Sequence, residues 1–144
     1  MDKDFIQSII QEISEASKNH NLDYFCISRD IFQARLDSYA LKGNKYLESA
    51  VIGEIGNNTF DHNWDFAKDE TRGSYFNPDY NGFVIVADFG QGIRKSLSKV
   101  RVFNSDIEAI KTAFTERISG RAPEQRGNGL KFVLESIKNK KWTL

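Results

Sequence analysis

The sequence is poor in the residues that mark several protein classes. A single cysteine, Cys26, has no partner for an internal disulfide and excludes a Cys-based zinc site, and it reads as a small core residue in Tyr24-Phe25-Cys26-Ile27. Only two prolines, Pro78 and Pro123, occur, and no Ser- or Gly-rich tract marks a linker, so a chain of 144 residues is expected to form one domain. No run approaches the roughly 18 unbroken apolar residues of a membrane helix, and the opening Met-Asp-Lys-Asp-Phe-Ile lacks the basic flank and apolar run of a secretory signal. A cytoplasmic protein without a membrane partner is expected. Net charge is missing too, with 20 Lys/Arg against 20 Asp/Glu, yet the balance conceals a division. Residues 1–90 carry 8 basic and 15 acidic side chains, net −7, whereas residues 91–144 carry 12 and 5, net +7. A split of this size points to a solvated face or an anion site, and composition alone leaves nucleic acid and nucleotide phosphate both open.

Hydrophobic periodicity organises what is there. Ile6, Ile9, Ile10, Ile13 and Ala16 recur at helical spacing and predict an amphipathic helix over 3–18. A second helix is expected over 28–39, around Ile31, Phe32, Ala34, Arg35 and Leu36. Gly43 and Asn44 break the chain before a long helical pattern from Lys45 to His62. Residues 64–82, rich in Asp, Asn, Gly and aromatics, read as a loop or irregular hairpin. Phe83-Val84-Ile85-Val86-Ala87 then reads as a buried central strand. A helix over 94–100 follows, and Ser105-Asp106-Ile107-Glu108 is a capping box leading into Ile107, Ile110 and Phe114. The last helix carries Leu130, Val133, Leu134 and Ile137 on one face.

Three constellations carry chemistry. Glu54-x-x-x-Asn58-x-x-x-His62 steps by four residues at about 100° each, which keeps a carboxylate, an amide and an imidazole in one stripe with Asp61 beside it. An amide oxygen suits a hard cation, an imidazole suits phosphate oxygens, and a carboxylate can orient water or a hydroxyl. Asp88-x-Gly90-x-Gly92-Ile93 ends the apolar strand. An acid there can accept from an exocyclic amine or a ribose hydroxyl while the glycines admit a flat ring or a phosphate, although methyltransferases and ordinary turns share the pattern. Gly127-Asn128-Gly129-Leu130 opens the last helix between Arg126 and Lys131, where unpaired amides favour an anion.

In this order the three motifs resemble those of the GHKL superfamily, the ATP-binding domain shared by DNA gyrase, the ninety-kilodalton heat-shock chaperones, histidine kinases and mismatch-repair ATPases. Glu54-Ile55-Gly56-Asn57-Asn58-Thr59-Phe60-Asp61-His62 is similar to its N box, Asp88-Phe89-Gly90-Gln91-Gly92-Ile93 to its first glycine box, and Arg126-Gly127-Asn128-Gly129-Leu130 to the later one. The likeness covers residues 45–138. It implies an α+β fold, a two-layer sandwich of the Bergerat type, with a mostly antiparallel mixed sheet, helices on one face, and ATP held between helices and a lid. Residues 1–40 would be a helical segment packed on an ATP-binding domain of residues 41–144. Asn58 would be the Mg²⁺ ligand, Glu54 the general base or water-positioning carboxylate, and Asp88 the partner of the adenine amino group. Gly90, Gly92 and Ile93 would shape the adenine pocket. Arg126, Gly127, Gly129 and Leu130 would close over the phosphates, with Asp61, His62 and the basic residues of 117–131 as further contacts.

The chain departs from the family pattern in having Phe89 where Asn is frequent, a long 64–82 segment, and no strands expected after the last helix, which implies a reduced sheet or a longer parent protein. The function expected is ATP hydrolysis or transfer of the γ-phosphate to a partner protein, nearest in style to the small anti-sigma-factor-like serine kinases. A protein partner, a further C-terminal domain and a homodimer are open, and a nucleic-acid partner is not expected. The alternatives are a non-catalytic nucleotide-sensing module and a methyltransferase, the latter requiring further β/α units within the 52 residues after Gly92.

Overall fold

A computed structural model describes residues 2–19, 21–63, 67, 71–118 and 128–144. The expected first helix forms as α1, Lys3–Lys18, with Asp2 at its N-cap and Lys18 in its last turn, where it complements the helix dipole. α2, Arg29–Leu41, starts where Ser28 Oγ accepts from the Ile31 amide, and it buries Phe32, Leu36 and Ala40 at four-residue steps. α3 covers Tyr46–Asn58. It does not stop at the polar cluster that follows but widens into a π-helical turn, Thr59–Asn63, so the helical path reaches one residue past the expected end at His62.

Three antiparallel strands complete the α+β architecture among the described residues: β1 (Phe25–Cys26), β2 (Ser74–Tyr80) and β3 (Phe83–Ala87), in the order β1-β2-β3. Two strand expectations need correction. Residues 74–80, expected within a loop or irregular hairpin, form the central strand, and Tyr75 and Phe76 are fully buried. β3, expected to be central, lies at the edge of the described sheet with Phe83 and Val84 exposed. The reason is the tight turn between them. Tyr80 pairs with Phe83 across Asn81-Gly82, both at positive φ (52° and 83°), the geometry of a two-residue hairpin. Pro78 and Asp79 sit at a register irregularity, where a missing amide donor costs nothing to the ladder.

Side chains alternate across the sheet and recruit helices to both faces. Phe25, Tyr75, Ile85 and Ala87 meet Ile9, Ile13 and Ala16 of α1. Cys26, Phe76 and Val86 meet Phe32 and Leu36 of α2 and Ile52 of α3. The resemblance implies helices on one face; α1 adds a layer on the other. Tyr75 ties α1 down, since its hydroxyl donates to Glu12 Oε1 (3.2 Å) and accepts from Asn77 Nδ2 (3.3 Å). α2 and α3 approach closely because Gly56 presents no side chain to the Phe32 ring, which a Cβ there would overlap.

Three further helices form a second cluster: α4 (Gly92–Leu97), α5 (Asp106–Thr115) and α6 (Gly129–Lys140). Leu97, Phe103, Ala109 and Ala113 pack there with Ile118 and Leu130. The Ser105 half of the capping box is made, its Oγ accepting from the Glu108 amide at 3.1 Å, while Glu108 Oε2 accepts from the amide of Asn104, one residue before the N-cap, at 2.8 Å. Ile107 and Ile110 are exposed, while Ala109, Thr112 and Ala113 turn inward, small side chains that let α5 lie close to α4 and α6.

Candidate functional site

The two clusters meet at a cavity of about 710 Å³, inside the size range of small-molecule sites. α3 gives it Glu54, Ile55, Asn57 and Asn58, and the π turn gives Asp61 and His62. One wall of α3 is committed to packing, with Ile52, Gly53 and Gly56 buried. The opposite wall is therefore left for the cavity, and the four-residue step from Glu54 to Asn58 keeps both there. Asp88 enters from the end of β3, Gly92, Ile93, Ser96 and Leu97 from α4, Ala113 and Phe114 from α5, and Asn128, Gly129 and Leu130 from the start of α6.

Two hydrogen bonds lock the first motif to the second. Thr59, almost fully buried, donates through Oγ1 to Asp88 Oδ2 at 3.3 Å, and Gln91 Nε2 donates to the His62 carbonyl at 2.8 Å. The Gly90 amide donates to Asp88 Oδ1 at 2.7 Å. Thr59 and Gly90 between them fix which way the carboxylate points. The third motif meets the first at Gly129, where an added Cβ would overlap the Glu54 carboxylate and lie 3.1 Å from its Cδ. Glu54 thus abuts the N-terminus of α6, where the helix dipole favours negative charge.

Of the residues singled out in the sequence, Glu54, Asn58, Asp61, His62, Asp88, Gly92, Ile93, Gly129 and Leu130 line this one cavity. Gly90 is not among the lining residues and acts on the site through its bond to Asp88. Arg126 and Gly127 lie outside the described residues. Arg117 and Lys131 do not line the cavity, and the Lys131 ammonium turns to Asn128 Oδ1 at 3.4 Å. Arg29, Thr59 and Gln91 were not anticipated. Arg29 Nη2 donates to Asp61 Oδ1 at 2.6 Å and Nη1 to Asn57 Oδ1 at 3.3 Å. Nothing in the spacing of α2 marks Arg29, because its partners lie about thirty residues away in the chain; Thr59 and Gln91 stand inside the motifs without being their chemical residues.

The described lining holds three carboxylates, Glu54, Asp61 and Asp88, against one guanidinium. Such a wall receives a divalent cation more readily than a bare anion. Among the described residues no group of three or more His, Cys, Asp or Glu is placed to hold a metal ion by itself. Mg²⁺ needs no such cage, since it keeps water and phosphate oxygens and takes one or two protein oxygens. The half-buried Asn58 carboxamide fits that limited part. No protein-family model, curated protein or solved structure matches this chain.

Proposed function

We propose that the cavity binds ATP with Mg²⁺ and that the chain is a GHKL-type domain that hydrolyses ATP or passes its γ-phosphate to a hydroxyl on a partner protein. One observation carries the reading: three motifs from distant parts of the sequence line a single cavity, with Asp88 oriented by Thr59 and Gly90. Asp88 accepts a hydrogen bond from the exocyclic amine of adenine, and Ile93 and Leu97 give the ring an apolar wall. The phosphates run toward Asn58, His62 and the start of α6. Mg²⁺, when bound, neutralises charge on the phosphate oxygens, and the Asn58 amide oxygen is the ligand this chain offers it. Glu54 is the general base of this reading. It takes the proton of the attacking water or hydroxyl as the new O–Pγ bond forms and the bond to the β-phosphate oxygen breaks, releasing ADP.

The placement of Glu54 against Gly129 favours catalysis over a purely sensing module, because it aims the carboxylate at the end of the cavity where a helix N-terminus receives phosphate. The methyltransferase alternative requires further β/α units, and the described residues after Gly92 form α4, α5 and α6 without a strand. Thermal unfolding with ligands separates the nucleotide readings from the methyltransferase. MgATP is expected to raise the melting temperature and S-adenosylmethionine to leave it unchanged; the reverse result assigns the cavity to a methyl donor.

A further inference from the structure

Arg29 belongs to none of the three motifs, yet it is the one Lys or Arg among the described residues lining the cavity. It opens α2 immediately after the N-cap Ser28, and the contact of Phe32 with Gly56 brings that end of α2 to the π turn. Its guanidinium is held on three sides. Asp61 and Asn57 accept from its two terminal nitrogens, and its central carbon lies 5.6 Å from the centroid of the Phe60 ring. A guanidinium has five N–H donors, and those two bonds engage two of them. With 45% of the side chain exposed, an incoming anion reaches it without opening the core.

Charge makes this position decisive. A polyphosphate entering the cavity meets Glu54, Asp61 and Asp88, and Arg29 is the one fixed full cation the described wall opposes to it. The planar fork of an arginine matches two phosphate oxygens at once, which a lysine ammonium does not. Building on the nucleotide reading above, we propose that Arg29 contacts the polyphosphate end of the ligand, with Asp61, Asn57 and Phe60 fixing the plane in which its remaining donors are presented. Arg29 thereby sets the preference of the site for phosphate chains over nucleosides.

The test is calorimetric titration of wild type, Arg29→Ala and Arg29→Lys with MgATP, magnesium tripolyphosphate and adenosine. Arg29→Ala is expected to weaken both polyphosphates by about tenfold or more while leaving adenosine within about twofold, and Arg29→Lys to recover part of the loss. Equal losses for adenosine and ATP, or an unchanged affinity for tripolyphosphate, overturn the proposal by making Arg29 structural or idle. Should Arg29→Ala fail to fold, Arg29→Lys alone decides, and it must lose more on the polyphosphates than on adenosine. A wild type that binds tripolyphosphate as tightly as ATP, with both lost in Arg29→Ala, supports the role of Arg29 and contradicts the adenine reading. A wild type that binds none of the three overturns both.

Discussion

Asp88 and Glu54 sit in different surroundings, and the proposed reading gives them different roles. Asp88 is oriented by a nearly buried threonine and a backbone amide, the setting of a recognition group, whereas Glu54 is exposed and abuts Gly129. Glu54→Ala should therefore keep MgATP affinity within about threefold and lower turnover by about a hundredfold or more, measured as phosphate release or transfer. If turnover survives, Glu54 is not the base. Gly56 has the opposite kind of importance. Its missing Cβ lets the Phe32 ring lie on α3, so Gly56→Ala should cost about 1–3 kcal/mol in urea unfolding, and a neutral result would mean α2 shifts freely. At this scale much of the site was legible: a four-residue step is enough to put Glu54 and Asn58 on one side of a helix. Arg29 was not, because a contact across about thirty residues leaves no period in the sequence.

Among the elements, the helices were more legible than the strands. α1, α2 and α6 follow directly from apolar spacing, and α5 from its capping box. Ser105→Ala should lower stability by about 0.5–2 kcal/mol in urea unfolding, since Ser105 Oγ satisfies the Glu108 amide at the start of α5; no change would mean water substitutes for the cap. Burial along α5 runs against side-chain size, since the large apolar residues Ile107 and Ile110 are exposed and the small ones make the contact. β2 was hidden by Ser74, Asn77, Pro78 and Asp79, which dilute any alternation. The usable signal was Tyr80-Asn81-Gly82-Phe83, a turn that pairs the residues on either side. The π turn at Thr59–Asn63 had no signature of its own, yet it places Thr59 under Asp88 and the His62 carbonyl before Gln91.

Over the whole molecule, the balance of 20 basic against 20 acidic residues does not map simply onto the cavity. The described lining draws its cation, Arg29, from the acidic half, and the basic half contributes uncharged side chains, mostly glycine and apolar with Ser96 and Asn128 among them. No described helix is long and apolar enough to cross a membrane. Stability is distributed through both faces of the sheet, and Tyr75 reports on it. Burial pushes its hydroxyl up from 10 to about 12, so the folded state holds the proton more tightly than the unfolded one. That contribution is complete below pH 10 and is lost as pH rises toward 12, by at most about 3 kcal/mol. Urea unfolding from pH 9 to 12 should show this loss relative to Tyr75→Phe, and parallel pH profiles would exclude it.

The most direct measurement on the central claim is calorimetric titration of the wild type and of Asp88→Asn with MgATP and magnesium inosine triphosphate, which carries a carbonyl where adenine has its amine. Recognition of adenine by Asp88 requires one ATP per chain, bound to wild type about tenfold or more tighter than the inosine nucleotide, with that gap narrowed in Asp88→Asn. Absence of ATP binding, or a preference for adenine that persists unchanged in Asp88→Asn, would contradict it.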